Sequence, residues 1–215
     1  MKKSNQINEK GITLIELLVA LVICGIVIAG TYRLFVAQSK AYTVQDQVVE
    51  VQQSIRSAME ILLRDLRMAG FDSDNVGSKI SIANPLIAGD QSVTVSYEYD
   101  NTTQYTITYT REAATKRLLR QLTTTKDDGY PVAGLQEAVL ENVEVLNFTY
   151  GVDTNPYDGA MDGNWVSAGD IGTGKVVAVR VVLTAKPDQT NPDVKNWVSP
   201  RTLTSAVTLR NQCLK

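Results

Sequence analysis

Residues 17–29 read LLVALVICGIVIA, without a polar side chain, and extending the run to residues 12–31 gives the roughly 20 apolar positions that cross a bilayer as a helix. Lys2, Lys3 and Lys10 precede it. Positive residues stay on the cytoplasmic side, so the N-terminus is expected inside and everything after residue 32 outside. An ordinary secretory signal would be followed by a small-residue cleavage site, but GTYRLFVAQSK (residues 30–40) has no Ala-x-Ala pattern. The segment therefore reads as retained.

Two residues at the front of this run stand out. Gly11 directly precedes it, and Glu16 lies five residues into it. A carboxylate inside a spanning helix is disfavoured by about 2.5 to 3.5 kcal/mol, which makes an intramembrane Glu a functional candidate by default. Either Glu16 stays wet near the interface, or it meets a positive charge that arises only after processing.

Beyond the membrane segment, Val44, Val48, Val51, Ile55, Ala58, Leu62 and Leu66 recur at steps of four and three, one apolar stripe on a helix. Gln, Asp, Glu and Arg fill the other face, with Glu60 and Arg64 in the favourable i,i+4 order. No proline occurs before Pro85, and Gly70 is a natural stop. The pattern predicts one helix over residues 12–69, roughly 85 Å at 1.5 Å per residue.

After Gly70 the period changes to two. Val93, Val95, Tyr97 and Tyr99, then Tyr105, Ile107 and Tyr109, alternate with polar residues around DNTT, a hairpin signature. Further strands are predicted at 116–123, 143–151, 175–185 and 202–210, with VVAVRVVL the most apolar and therefore central. The fold class is α+β: a long N-terminal helix, its first part membrane-spanning, packed on an antiparallel β-sheet head.

The chemistry available to this head is limited. The absence of histidine excludes Ser-His-Asp, Cys-His and His-based metal sites. The formal net charge of −2, with no run of Lys or Arg, gives no reason to expect nucleic acid as the main ligand. Cys24 lies in the apolar run, where it reads as a small packing residue, and Cys213 sits at the far end of the chain, so an intramolecular disulfide is not expected. DIGTGK (residues 170–175) is too short and badly spaced for a phosphate loop and reads as a turn before a strand. The stretch 151–174 concentrates Asp153, Asn155, Asp158, Asp162, Asn164 and Asp170. Asp153, Asp158 and Asp162 are candidate calcium ligands, but the spacing is not that of an EF-hand, and Asx and glycine turns are the favoured reading. Trp165 and Trp197 read as half-buried anchors at a sheet edge rather than exposed contact points. No cofactor or enzymatic activity is expected.

KGITLIELLVALVI (residues 10–23) resembles the signal of type IV pilins and of type II secretion pseudopilins. The resemblance implies a pilin fold, cleavage by prepilin peptidase after Gly11, methylation of the new amine on Ile12, and pairing of Glu16 with the N-terminal amine of a neighbouring subunit. Ile12 stands where that family usually has phenylalanine. The implied organisation is a leader over residues 1–11, a transmembrane and filament-core helix over 12–31, its amphipathic continuation over 32–70 and an extracytoplasmic head over 71–215. SIRSAMEILLRDLRMAGF (residues 54–71) and TLTSAVTLRNQ (residues 202–212) resemble minor pilins of the PilW type. That branch implies a part in pilus assembly or initiation near the filament tip. The implied partners are other pilins, prepilin peptidase, the inner membrane and the assembly machinery. The implied location is the bacterial inner membrane, head periplasmic, and then the surface pilus. The GspJ-like pseudopilins share this layout and are the second reading. A membrane-anchored enzyme or ligand-binding module is a distant third.

Overall fold

A computed structural model describes residues 11–72, 78–154, 158–187 and 198–213. Trp197, Asn155, Lys2, Lys3 and Lys10 lie outside the described residues. The chain divides into two compact units, Met1–Gln45 and Asp46–Lys215.

Helix α1 runs over Leu14–Arg67, as the unbroken apolar periodicity and the absence of proline require. In the first unit it contains one stretch long and apolar enough to cross a membrane. The side chains of this stretch, Leu17, Leu21 and Ile28 among them, are exposed. In the second unit the stripe is buried as its spacing predicts: Ile55, Ala58, Leu62 and Leu66 are each at most 2% exposed. Gly70 ends the helical segment in the left-handed region at φ 71°, the conformation that favours glycine at a helix C-terminus. Its N–H donates to the Ser96 carbonyl at 2.9 Å.

Among the described residues the head contains two antiparallel sheets rather than one. The first has the order β1 (Leu86–Ala88), β2 (Ser92–Asp100), β3 (Thr103–Glu112), β4 (Arg117–Lys126) and β5 (Pro131–Leu140). The second consists of β6 (Val143–Asp153), β7 (Lys175–Ala185) and β8 (Arg201–Thr208). The hairpin expected around DNTT joins β2 and β3, where Asp100 Oδ1 accepts from the N–H and hydroxyl of Thr102, both at 2.9 Å. This is the side-chain-to-backbone bond that makes Asp a turn residue. The VVAVRVVL strand, β7, is central in its sheet, as its apolarity predicts. DIGTGK forms the end of a short 3-10 turn (Ala168–Asp170) and the lead into β7.

Alternation along the strands sorts side chains between faces. Val93, Val95, Ile107, Tyr109 and Leu118 of the first sheet form one core with Phe148, Val179, Val181 and Leu183 of the second and with the helix stripe. Hydrogen bonds tie the sheets: the Tyr150 hydroxyl donates to the Gly89 carbonyl at 2.7 Å and accepts from the Gly89 N–H at 3.0 Å, and Arg111 Nε on β3 donates to the Val143 carbonyl on β6 at 3.0 Å. Burial pushes the Tyr150 phenol up to about 12; the Gly89 N–H acts against that shift and Asp90 adds to it.

Two segments that resemble minor pilins, 54–71 and 202–212, meet in space. The Asn211 side-chain amide donates to the carbonyls of Arg67 and Ala69, each at 3.3 Å. It thereby satisfies carbonyls that the end of a helix leaves without partners. A Cβ on Gly70 would have to push the end of the Gln212 side chain aside and would crowd Pro85, and the φ of 71° itself favours glycine.

Candidate functional site: the start of the long helix

Gly11 and Ile12 precede the first helical residue, Leu14, and are in the open. A Cβ on Gly11 would meet nothing within 4 Å, and Ile12 is 80% exposed. The bond between them thus lies outside the helix, flanked by exposed residues.

Thr13, Leu14, Ile15 and Glu16 form a capping box. The Glu16 carboxylate oxygen Oε2 accepts from the Thr13 N–H at 2.9 Å and from the Thr13 hydroxyl at 2.8 Å. The Glu16 N–H in turn donates to the Thr13 hydroxyl oxygen at 3.4 Å, and Leu17 N–H to the Thr13 carbonyl at 3.2 Å. This is the S/T-x-x-E arrangement, in which cap and glutamate satisfy each other's orphan donors. TLIE carries that signal in the sequence, where Glu16 is read either as wet near the interface or as the partner of a charge made by processing. In the uncut chain the nitrogen of Ile12 is a peptide nitrogen, and the Glu16 partners come from its own helix start. Both Thr13 bonds reach Oε2, which leaves Oε1 open among the described residues.

The head offers a second polar cluster, which the sequence did not reveal. Asp65, 4% exposed, accepts from the Tyr109 hydroxyl at 2.7 Å and from Arg120 Nε at 2.8 Å. Burial pushes the Tyr109 phenol well above its usual range, and its hydrogen bond to Asp65 adds to the shift. For Arg120, burial opposes the charge, but the hydrogen bond and attraction of Asp65 outweigh it and raise the guanidinium further. The three residues come from α1, β3 and β4 and pin helix to sheet. Asp65 takes both of these bonds on Oδ2, and Arg120 also lines a surface cleft with Thr124 and Glu137.

The candidate calcium ligands are engaged in loop bonds. Asp153, 1% exposed, accepts from the Gly159 N–H at 3.1 Å. Asp158 accepts from the Ala160 N–H at 2.7 Å, and Asp162 from the N–H and hydroxyl of Thr154 at 3.0 and 2.7 Å. Of these, the Asp158 contact, two residues long, is an Asx turn, and the others cross-link the loop over six and eight residues. Among the described residues, no group of three or more acidic or cysteine side chains converges as a metal site. Trp165 is half-buried, with the Arg180 guanidinium 4.1 Å from its ring centroid, next to Val166, which bridges to Tyr150 on β6. Cys24 and Cys213 are both free thiols.

A single apolar helix at the N-terminus, opened by a capped glutamate and continuing into an antiparallel β head, defines a type IV pilin-like protein. The family comparisons agree with that class. The model described as "Prokaryotic N-terminal methylation motif" matches residues 7–32, over Gly11, Ile12 and Glu16. The model described as "Type IV Pilus-assembly protein W" matches residues 104–212, about half of the chain, and the chain belongs to that family. The "Pilin-like protein PilA3" of Thermus thermophilus is 30% identical over 109 residues, 49% of this chain. The match spans 45% of that relative's own length. Domains of these families are structural rather than catalytic, and the methylation motif with its apolar helix fits a membrane-anchored pilin.

Proposed function

We propose that this chain is a minor pilin, cut by prepilin peptidase after Gly11, methylated on Ile12, and built into a type IV pilus, where it takes part in assembly or initiation near the tip. In this reading residues 1–11 are the leader, 12–31 the segment held in the inner membrane and then in the filament core, 32–70 its amphipathic continuation and 71–215 the periplasmic head. Its partners are other pilins and the assembly machinery, and it carries out no catalysis.

The observation that carries the reading is the position of Glu16. It lies inside the stretch matched by the methylation motif, at the first turn of the apolar helix, with one carboxylate oxygen held by Thr13 and the other open. Cutting after Gly11 turns the neutral Ile12 nitrogen into an amine and creates a cation where none existed. A carboxylate in an apolar medium is strongly disfavoured alone and much less so when paired. Such an amine, on the next subunit, supplies the partner when helices leave lipid for the filament. Replacing Glu16 with Ala should leave the chain in the membrane fraction and sharply lower its content in sheared, purified filaments. Normal content in filaments would contradict the pairing.

A further inference from the structure

The outer strand of a sheet presents a row of unpaired N–H and C=O groups, which proteins blunt with short length, lysine or a covering element. β5 has none of these three. It is ten residues long, carries no Lys or Arg, and is exposed at every residue from Pro131 to Ala138. Residues 127–142 are all described, and among the described residues β5 makes no backbone–backbone hydrogen bond beyond its ladder to β4. One of its acceptors, the Gly134 carbonyl, takes a bond from the Gln121 side chain at 3.1 Å. Its apolar side chains are bare as well, Val132 at 68% and Leu135 at 90% exposure. With Leu122, Arg120 and Glu137 they line a cleft of about 270 Å³. A strand added along β5 would set alternate side chains of its own beside Val132 and Leu135.

The charge along this edge has one sign. Residues 127–141 carry Asp127, Asp128, Glu137 and Glu141 and no base. Asp127 is paired with Lys79 at 3.2 Å and Glu141 with Arg117 at 3.0 Å, whereas Glu137, within the strand itself, has no ion pair among the described residues. At its C-terminal end β5 borders a second cleft, about 450 Å³, to which α1 contributes Gln47, Glu50 and Ser54 and the residues after β7 contribute Lys186. Glu50 also has no ion pair among the described residues. Gln47 Oε1 is buried there without a hydrogen-bond partner, a state that is costly until a donor arrives. Edge and cleft therefore both call for a positively charged donor. A second copy of β5 would bring a further carboxylate and no base.

We propose that β5 accepts an extended segment of a different polypeptide, one in which apolar residues alternate along the strand and lysine or arginine stands beside Glu137 and reaches Gln47 and Glu50. Main-chain bonds to the edge would supply affinity, and the side chains specificity, as in other cases of strand addition. The surface lies wholly within the unit Asp46–Lys215 and requires neither cleavage after Gly11 nor pairing of Glu16, so it stands or fails separately from the function proposed above.

The probe is a short synthetic peptide in which valine alternates with lysine and threonine, labelled with a fluorophore and titrated against the full chain in detergent micelles. Anisotropy reads binding, and amide hydrogen exchange with mass spectrometry reads its place. Binding should saturate, weaken as salt rises and slow exchange in residues 131–140. A peptide with glutamate in place of lysine should bind more weakly by about five- to tenfold, as expected when a facing opposite-charge pair becomes a like-charge pair. Glu137→Lys should reverse the preference, and its gain of affinity for the glutamate peptide is a result that a folding defect cannot produce. A peptide of the same composition with its alternation scrambled should not slow exchange in β5. The proposal is overturned by absence of saturable binding, by equal binding of the lysine and glutamate peptides or of the scrambled one, or by slowed exchange outside β5 only. Self-association of the peptide-free chain that protects β5 would likewise overturn it, and would assign the edge to a second copy.

Discussion

The contact most open to a quantitative test is the Asp65 cluster. Asp65→Ala removes the acceptor of two buried or half-buried donors at once. The Tyr109 hydroxyl, on a side chain with no exposed surface, loses its only named partner, and the Arg120 guanidinium, with 21% of its side chain exposed, loses its counter-charge. Removing one partner of a fully buried ion pair is worth about 3 to 5 kcal/mol. The residual exposure of Arg120 places this case at the low end, and the orphaned phenol adds a further amount of order 1 kcal/mol. A loss of about 3 to 4 kcal/mol in a unit of this size lowers Tm by about 10 °C. Tyr109→Phe should remove only about 1.5 to 2 kcal/mol, since it takes away one hydrogen bond to a charged acceptor and strands no charge. The double variant Asp65→Ala with Arg120→Ala should be less destabilised than the sum of the singles by at least about 1 kcal/mol, because the second substitution removes the charge that the first orphans. Thermal unfolding of the full chain in detergent, followed by near-ultraviolet circular dichroism, reads all three. A Tm for Asp65→Ala within about 2 °C of wild type, or strict additivity in the double variant, would refute the reasoning.

Two further outcomes follow from the head. Gly70→Ala forces a Cβ onto a φ of 71° and against the Gln212 amide and should lower stability by about 2 kcal/mol in the same melts. Stability should also fall as pH rises from about 10 to about 12: once the unfolded tyrosine has lost its proton, the folded Tyr150 still holds one, so the native state binds more protons and the slope is negative. Tyr150→Phe should make that part of the profile less steep in urea melts taken at successive pH values, the remaining slope coming from Tyr109, whose phenol burial also raises.

Much of this architecture is legible in the residues because it follows from periodicity. The stripe from Val44 to Leu66, interrupted by no Pro and closed by Gly70, is enough to specify a helix, and the observed Leu14–Arg67 lies within two residues of the expected bounds at each end. The period-two runs give β2, β3, β4, β6, β7 and β8 for the same reason. β5 escapes because PVAGLQEAVL does not alternate: Pro131 cannot donate, Gly134 marks a bulge, and nearly every side chain is exposed, so there is no buried face for a pattern to record. β1, at three residues, is too short to carry a period. The division into two sheets depends on which strands pair at long range, and strand order leaves no local trace.

The polar sites divide along the same line. Thr13 and Glu16 are three residues apart, and their capping box is a local motif that the sequence displays. Asp65 meets Arg120 across 55 residues and Tyr109 across 44, and within LLRDLR it looks like one more charge on a wet helix face. The clue is its position three residues after Leu62 and one before Leu66, on the side of the helix that the stripe buries. The same limit holds for the head's family membership. Short motifs at its two ends point to minor pilins, whereas the family match covers residues 104–212 and includes the sheet between them.

The central claim is that this chain becomes a subunit only when a new amine is created beside Glu16. Intact-mass and N-terminal peptide mass spectrometry of the chain, isolated from cells with an active prepilin peptidase, tests it most directly. The account predicts a polypeptide beginning at Ile12 with one methyl group on its α-amine, and an uncut chain in cells lacking the peptidase. A chain that retains Met1 to Gly11 in the presence of active peptidase would contradict it.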